Sequence, residues 1–112
     1  KATIVKLLSR EDGKINWDRI ADQIYNQIRA LNPEPGTWAR WQDKVLNIRS
    51  AEVLSIDDEG ALGEVKKINN SIAVKTKKCY LILKQIQLEG GKEMDAKSFL
   101  NGHSDFLGSR LE

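Results

Sequence analysis

The apolar period of this 112-residue chain changes once, at Asn32-Pro33-Glu34-Pro35-Gly36, from a helical repeat to a repeat of two. Before the break, Ile20, Ile24, Ile28 and Leu31 fall at i, i+4, i+8 and i+11. That is one stripe of an amphipathic helix, with Ala21 and Tyr25 beside it. Asn16 or Asp18 is placed to cap this helix, Asp18 and Asp22 lie near its positive end, and Arg29 lies near its negative end. Each proline disfavours α geometry in the residue before it, so the helix stops at the block.

After the break the side chains alternate. Residues 45–54 read as a strand with Leu46 and Ile48 on one face and Val45, Asn47 and Arg49 on the other. Asp57, Asp58, Glu59 and Gly60 form an acidic turn, and residues 62–68 a second strand. Asn69-Asn70 is a tight hairpin turn into a third strand, residues 71–76, with Ile72 and Val74 inward and Ala73, Lys75 and Lys77 outward. Residues 79–88 make the last long strand. Asp95 then caps a short helix, with Met94 and Phe99 at the staple positions and Gly102 at C′. A run of four or five short strands between two helices predicts an antiparallel sandwich or small barrel and excludes a βαβ sheet.

Composition narrows the classes further. The longest uninterrupted apolar run, residues 79–83, is strand-sized, whereas a membrane-spanning helix needs about 20 apolar residues. Cys79 is the single cysteine, which excludes a disulfide framework and suits a reducing compartment. With one histidine and one cysteine, no structural zinc site can be built from those residue types alone. The chain opens at Lys1 without methionine or an apolar leader and reads as a fragment or processed chain; Leu111-Glu112 carries no weight in this reading.

Chemistry-bearing residues are sparse. His103 stands in a Gly-rich tail without a nearby nucleophile and reads as an ordinary exposed side chain. Cys79 opens an apolar strand and reads as a small buried hydrophobe. Gly90-Gly91-Lys92 is too short for a phosphate loop or a dinucleotide fingerprint. Asn69-Asn70-Ser71 matches a glycosylation triplet but reads as a turn, and the acidic cluster at residues 57–59 lacks ligands at calcium-loop spacing. Taken alone, the chain is catalytically empty.

Charge is more informative. Residues 65–88 hold Lys66, Lys67, Lys75, Lys77, Lys78 and Lys84 and no acid, a local +6 in a chain whose net charge is +2. Arg40, Lys44 and Arg49 form a second basic group around the first strand. Placed on neighbouring strands, these groups would make a patch suited to phosphates. Lysines also blunt exposed strand edges against aggregation, and charge alone leaves both readings open. Among the aromatic residues only Tyr80 falls on the basic strands; Trp17, Trp38 and Trp41 are assigned to packing at the helix start and the loop after it. A single-strand binder stacks bases on several aromatic platforms, so the pattern favours backbone contact with a folded, double-helical RNA.

The residues also resemble a known family. Ile15-Asn16-Trp17, then Ile28-Arg29-Ala30-Leu31-Asn32-Pro33-Glu34-Pro35-Gly36, then Ala51-Glu52-Val53-Leu54 follow the blocks of the C-terminal domain of methionyl-tRNA formyltransferases. Leu88, Gly90-Gly91-Lys92, Met94 and Phe99-Leu100 continue the pattern, and order and spacing agree from about residue 14 to 111. Three positions depart from it. Ala61-Leu62-Gly63 replaces a Pro-Gly-Thr turn, Lys77-Lys78-Cys79 replaces a loop that often bears Gly and Asp, and Ser50 replaces a strand lysine.

The resemblance implies an OB-fold-like antiparallel barrel, mainly β with an N-terminal helix and a short C-terminal helix, as a single domain over residues 1–112. It implies a chain detached from an N-terminal formyltransferase domain that would hold the catalytic Asn, His and Asp and use 10-formyltetrahydrofolate; no cofactor or metal is expected in this fragment. The implied partner is initiator methionyl-tRNA, gripped by its sugar-phosphate backbone. The implied setting is a monomer in the bacterial cytoplasm or an organelle of bacterial origin. The tRNA-binding candidates are Arg40, Lys44, Arg49, Lys66, Lys67, Lys75, Lys77, Lys78 and Lys84. The alternative is the matching accessory domain of a sugar-nucleotide or folate formyltransferase, which packs without binding RNA.

Overall fold

The computed structural model describes residues 13–32, 36–56 and 59–112. Pro33, Glu34 and Pro35 of the helix-stopping block, and Asp57 and Asp58 of the acidic turn, lie outside the described residues. The elements run α1 (Ala21–Leu31), β1 (Trp38–Trp41), β2 (Lys44–Leu54), β3 (Val65–Ile68), β4 (Ser71–Lys75), β5 (Tyr80–Leu88), β6 (Glu93–Asp95) and α2 (Ala96–Gly102), followed by a 3₁₀ turn at Ser104–Phe106.

All strand pairs are antiparallel, in the order β1-β2-β5-β4-β3. The short β6 joins β5 at Gln85, Ile86 and Gln87, beyond the point where β4 ends. Between Ile48 and Ala51 the register of β2 against β5 shifts. Such a bulge bends a strand and increases its twist, so the sheet curls. The last residues join its two edges: Gly108 and Ser109 bond Val65, Leu111 bonds Gly63, and Glu112 bonds Arg40. The result is the curled, mainly β, OB-like architecture expected from the sequence.

The core lies inside the curl. Ile24 and Ile28 of α1, Leu46 and Ile48 of β2, Val65 of β3, Ile72 and Val74 of β4, and Leu81, Leu83 and Ile86 of β5 are all buried there. Fully burying a side chain of this size contributes about 1.5–3 kcal/mol, so the helix stripe is sufficient to fasten α1 to the sheet. Asn32 finishes the helix. Its Nδ2 donates to the carbonyl of Ile28 at 2.8 Å and to the Thr37 hydroxyl at 3.0 Å, and that hydroxyl donates to the Ile48 carbonyl at 2.6 Å.

Several local expectations are corrected. Helix α1 begins at Ala21 behind Ile20 with no side-chain cap, because the Asn16 carboxamide accepts from the Asp18 N–H, ahead of the helix. Trp38 and Trp41 belong to a strand, not a loop. The β1–β2 hairpin turns at Gln42 and Asp43, both left-handed at φ 51° and 63°, the geometry also taken by Asn69 and Asn70 at 50° and 67°. Asn-Asn announces that turn and Gln-Asp does not. The second strand starts at Val65 instead of residue 62, since Gly63 takes φ +82° with the Leu111 carbonyl packed where a Cβ would stand. Gly102 is the last residue of α2, and His103 takes the cap. The Asp95 cap is as expected, its Oδ1 accepting from the Ser98 N–H at 2.8 Å.

Candidate nucleic-acid interface

The basic residues of 65–88 separate into three settings. Pairing of Lys66 with Ala73, Ala73 with Ile82, and Lys75 with Tyr80 puts Lys66, Lys75 and Tyr80 on the outer sheet face, with Lys84 two residues beyond Ile82. That face is not uniformly positive. Lys66 Nζ lies 3.7 Å from Glu64 and Lys84 Nζ lies 3.5 Å from Glu52, both acids arriving from outside the acid-free segment. Exposed pairs of this kind add little stability, but they offset charge that would otherwise meet a polyanion.

Lys75 is the main correction. Alternation points it to solvent, yet it is only 4% exposed, and Ala73, also assigned outward, is 0% exposed. Its Nζ donates to the Thr76 carbonyl at 2.7 Å and lies 5.4 Å from the centre of the buried Tyr80 ring. Lys66 reaches the same tyrosine, its Nζ 3.3 Å from the hydroxyl. Gly60 sits over both lysines, close to Lys66 Nζ and Lys75 Cδ. The loop before β3 therefore covers part of a face that alternation alone assigned to water. Lys75 is part of the packing.

Lys67, Lys77 and Lys78 form the third setting. All three are exposed, Lys67 near the end of β3 and the other two in the β4–β5 loop, and none makes an ion pair among the described residues. The loop abuts the segment leading into α1: the Lys77 N–H donates to the carbonyls of Trp17 and Arg19, and Ala21 donates to the carbonyl of Lys78. Arg19, which sequence patterning did not single out, is thereby brought beside Lys77 and Lys78. Sequence distance hid it.

The second basic group is also split. Arg40 and Lys44 flank the β1–β2 turn and are exposed, with the Arg40 guanidinium 5.9 Å from the Trp38 ring centre and Lys14 at 5.8 Å on the same ring. Arg49 lies at the bulge, half-buried, donating to Gln87 Oε1 at 2.9 Å with Glu93 3.8 Å away. In the hydrogen-bonded order β2 pairs with β5, so Arg49 and Lys84 stand on neighbouring strands, whereas Arg40 on β1 and Lys67 on β3 are at opposite ends of the sheet, with residues 108–112 between those two edges.

The three tryptophans pack as expected. Trp17, Trp38 and Trp41 are all buried, leaving no stacked aromatic row on the outer face among the described residues. His103 is half-buried, not exposed. Its ring stacks on Phe99 with centroids 4.2 Å apart and meets Trp41 edge-on. Among the described residues no three His, Cys, Asp or Glu side chains gather as a metal ion would require. A cleft of about 610 Å³ lies between the α1 approach and the C-terminal segment and is lined by both signs of charge, including Lys14, Asp18, Arg110 and Glu112. No helix among the described residues is long and apolar enough to cross a membrane.

Compared with known families, residues 7–104 match the formyl transferase C-terminal domain. The chain belongs to that family. This formyl transferase C-terminal domain is 39% identical over 106 residues to the methionyl-tRNA formyltransferase of Caldicellulosiruptor saccharolyticus, covering 92% of this chain and 34% of that protein. It is 41% identical over 113 residues to the enzyme of the same name from Chlamydia abortus, covering 93% and 35%, and 34% identical over 110 residues to that of Neisseria gonorrhoeae, covering 97% and 35%. The domain spans about a third of the length of these curated relatives.

Proposed function

We propose that this chain is the tRNA-binding domain of a methionyl-tRNA formyltransferase, holding initiator methionyl-tRNA by its backbone for N-formylation at the start of translation. One observation carries the reading. In a chain similar to enzymes of that name, Arg40, Lys44, Lys67, Lys77 and Lys78 are exposed and form no ion pair among the described residues. They are the candidate phosphate contacts. Lys66, Lys84 and Arg49, each within reach of a carboxylate, are secondary, and Lys75 supports the face from beneath.

Buried tryptophans and the absence of a stacked aromatic row among the described residues favour a double-helical stem over single-stranded bases. In this reading the chain is one domain of a longer protein, working in the cytoplasm of a bacterium or in an organelle of bacterial descent. The formyl donor, 10-formyltetrahydrofolate, belongs to the portion outside this chain; no role assigned to the residues above involves it. The domain's contribution is orientation: a stem fixed on the barrel presents the aminoacyl end to the reacting groups.

The test is a salt titration of tRNA binding to the chain. Each phosphate contact contributes a log–log slope of about −0.7 to −0.9, so four contacts give about −3. The competing reading, an accessory domain that only packs, expects no tRNA binding at about 50 mM salt. That result would sink the proposal.

A further inference from the structure

The loop between β4 and β5 is fastened from within and from across. The buried Thr76 donates its hydroxyl to the carbonyls of Lys78 at 2.6 Å and Cys79 at 2.9 Å, and its N–H to the Cys79 carbonyl at 3.2 Å. Cys79 itself is held at φ +68°. From across, the Lys77 N–H is shared between the carbonyls of Trp17 at 3.0 Å and Arg19 at 3.1 Å, and the Ala21 N–H reaches the carbonyl of Lys78 at 3.1 Å. Every one of these bonds uses main chain or a buried hydroxyl. The lysine and arginine side chains are left outside.

We propose that Arg19, Lys77 and Lys78 form a preset clamp for the phosphates of a nucleic-acid strand. The inference rests on the tRNA-binding reading and deepens it by locating the grip. Backbone hydrogen bonds join two segments far apart in sequence that carry three exposed cations, and none of the three has an ion-pair partner among the described residues. The loop backbone is already ordered, so binding costs only side-chain freedom, which raises the affinity obtainable from each contact. Lys66 and Lys84 differ on both counts, since each faces a glutamate and each stands on the partly covered outer face.

Nearby carboxylates give the clamp a second signature. Asp18 precedes Arg19, and Asp22, in the first turn of α1, lines a shallow groove of about 110 Å³ with Lys78 and Cys79. A strand seated on Arg19, Lys77 and Lys78 is repelled by Asp22, so removing that charge strengthens binding. A merely solvated lysine edge gives no such effect.

The experiment compares the wild-type chain, Arg19→Gln/Lys77→Gln/Lys78→Gln, Lys66→Gln/Lys84→Gln, Asp22→Asn and Arg19→Gln alone, titrated with a tRNA transcript by anisotropy across salt concentrations. The clamp variant is expected to lose about two to three units of slope and to bind on the order of tenfold or more weakly at about 0.1 M salt. The Lys66/Lys84 variant is expected to lose less than one unit, and Asp22→Asn to bind more tightly. Should the triple variant melt early, Arg19→Gln alone still reads the clamp, with an expected loss of about one unit. Curves that superimpose for wild type and the clamp variants, or an equal loss at Lys66/Lys84, overturn the clamp while tRNA binding stands. A wild-type chain that binds no tRNA overturns both.

Discussion

Arg40 and Glu112 exchange both of their backbone hydrogen bonds, the Arg40 N–H reaching the Glu112 carbonyl at 2.8 Å and the Glu112 N–H reaching the Arg40 carbonyl at 3.0 Å. One residue earlier, the Leu111 N–H donates to the Gly63 carbonyl at 2.8 Å, just ahead of β3. The end of the chain therefore occupies both edges of the sheet. Unpaired edges are templates for aggregation, and here a short segment covers them. Pinning the Arg40 backbone in this way also leaves its guanidinium on the outside, above Trp38.

The Leu111 side chain is buried in the same core as Val65 and Phe106. Leu111→Ala removes packing that the barrel cannot refill from its rigid edge, at a cost of about 2–5 kcal/mol. A denaturant titration checks this. A loss below about half a kcal/mol would show that the tail rests on the sheet without closing it.

Lys75 and its neighbours should separate cleanly. Lys75→Glu puts a carboxylate against the Thr76 carbonyl and the Tyr80 ring in place of a donor, and an unsatisfied buried group costs about 1–3 kcal/mol or more when charged. Lys77→Glu and Lys78→Glu, on exposed side chains, should stay within about ±0.5 kcal/mol. Thermal melts of the three single variants decide it. If Lys75→Glu melts with the other two, the face above Tyr80 is open to water.

The readable parts of the sequence were those where one local signal sufficed. The Ile24–Ile28 stripe, the Asn69-Asn70 turn and the Asp95 cap each carry their own chemistry within a few residues, and each element formed as expected. Strand β1 was missed because Gln42-Asp43 takes a left-handed hairpin turn without the usual residue types. The outward assignment of Ala73 and Lys75 failed because alternation says which face a residue is on, not what covers that face. Glu52, Glu64 and Arg19 reached the basic residues through strand pairing and loop contacts at long sequence separation, which no count along the chain reports. The lysine run was legible; its neutralisation was not.

His103 supports an aromatic cluster. Its ring stacks on Phe99, 10° from parallel, and Nδ1 lies 3.2 Å from the Phe99 carbonyl, a contact that requires the proton on that nitrogen. His103→Ala is expected to cost about 1 kcal/mol, the value of one ring pair. In the longer protein of the proposed function, single-turnover formylation should change less than tenfold, or about 1.4 kcal/mol. A larger loss without a matching stability change would assign His103 to the reaction.

The Asp95 cap gives the fold an acid-sensitive joint. The Ser98 N–H donates to Asp95 Oδ1, and this bond chiefly holds the carboxyl below its ordinary value of 3.8; slight burial acts the other way, and the Ser98 hydroxyl and Lys97 assist. A carboxyl whose folded pKa is depressed contributes stability that is complete above its unfolded value and is lost as pH falls through the folded one. Melting temperature should therefore fall more steeply below about pH 4 for wild type than for Asp95→Asn. The amide still accepts from the Ser98 N–H but does not titrate here, so its capping contribution stays the same at every pH tested. Asp95→Ala should be less stable than wild type at neutral pH, since the Ser98 N–H loses its acceptor, and the gap should narrow in acid as the wild-type cap is protonated. Melts at pH 7, 5, 4 and 3 for the three proteins test this directly, and parallel curves for wild type and Asp95→Asn would remove the cap carboxylate from the acid response.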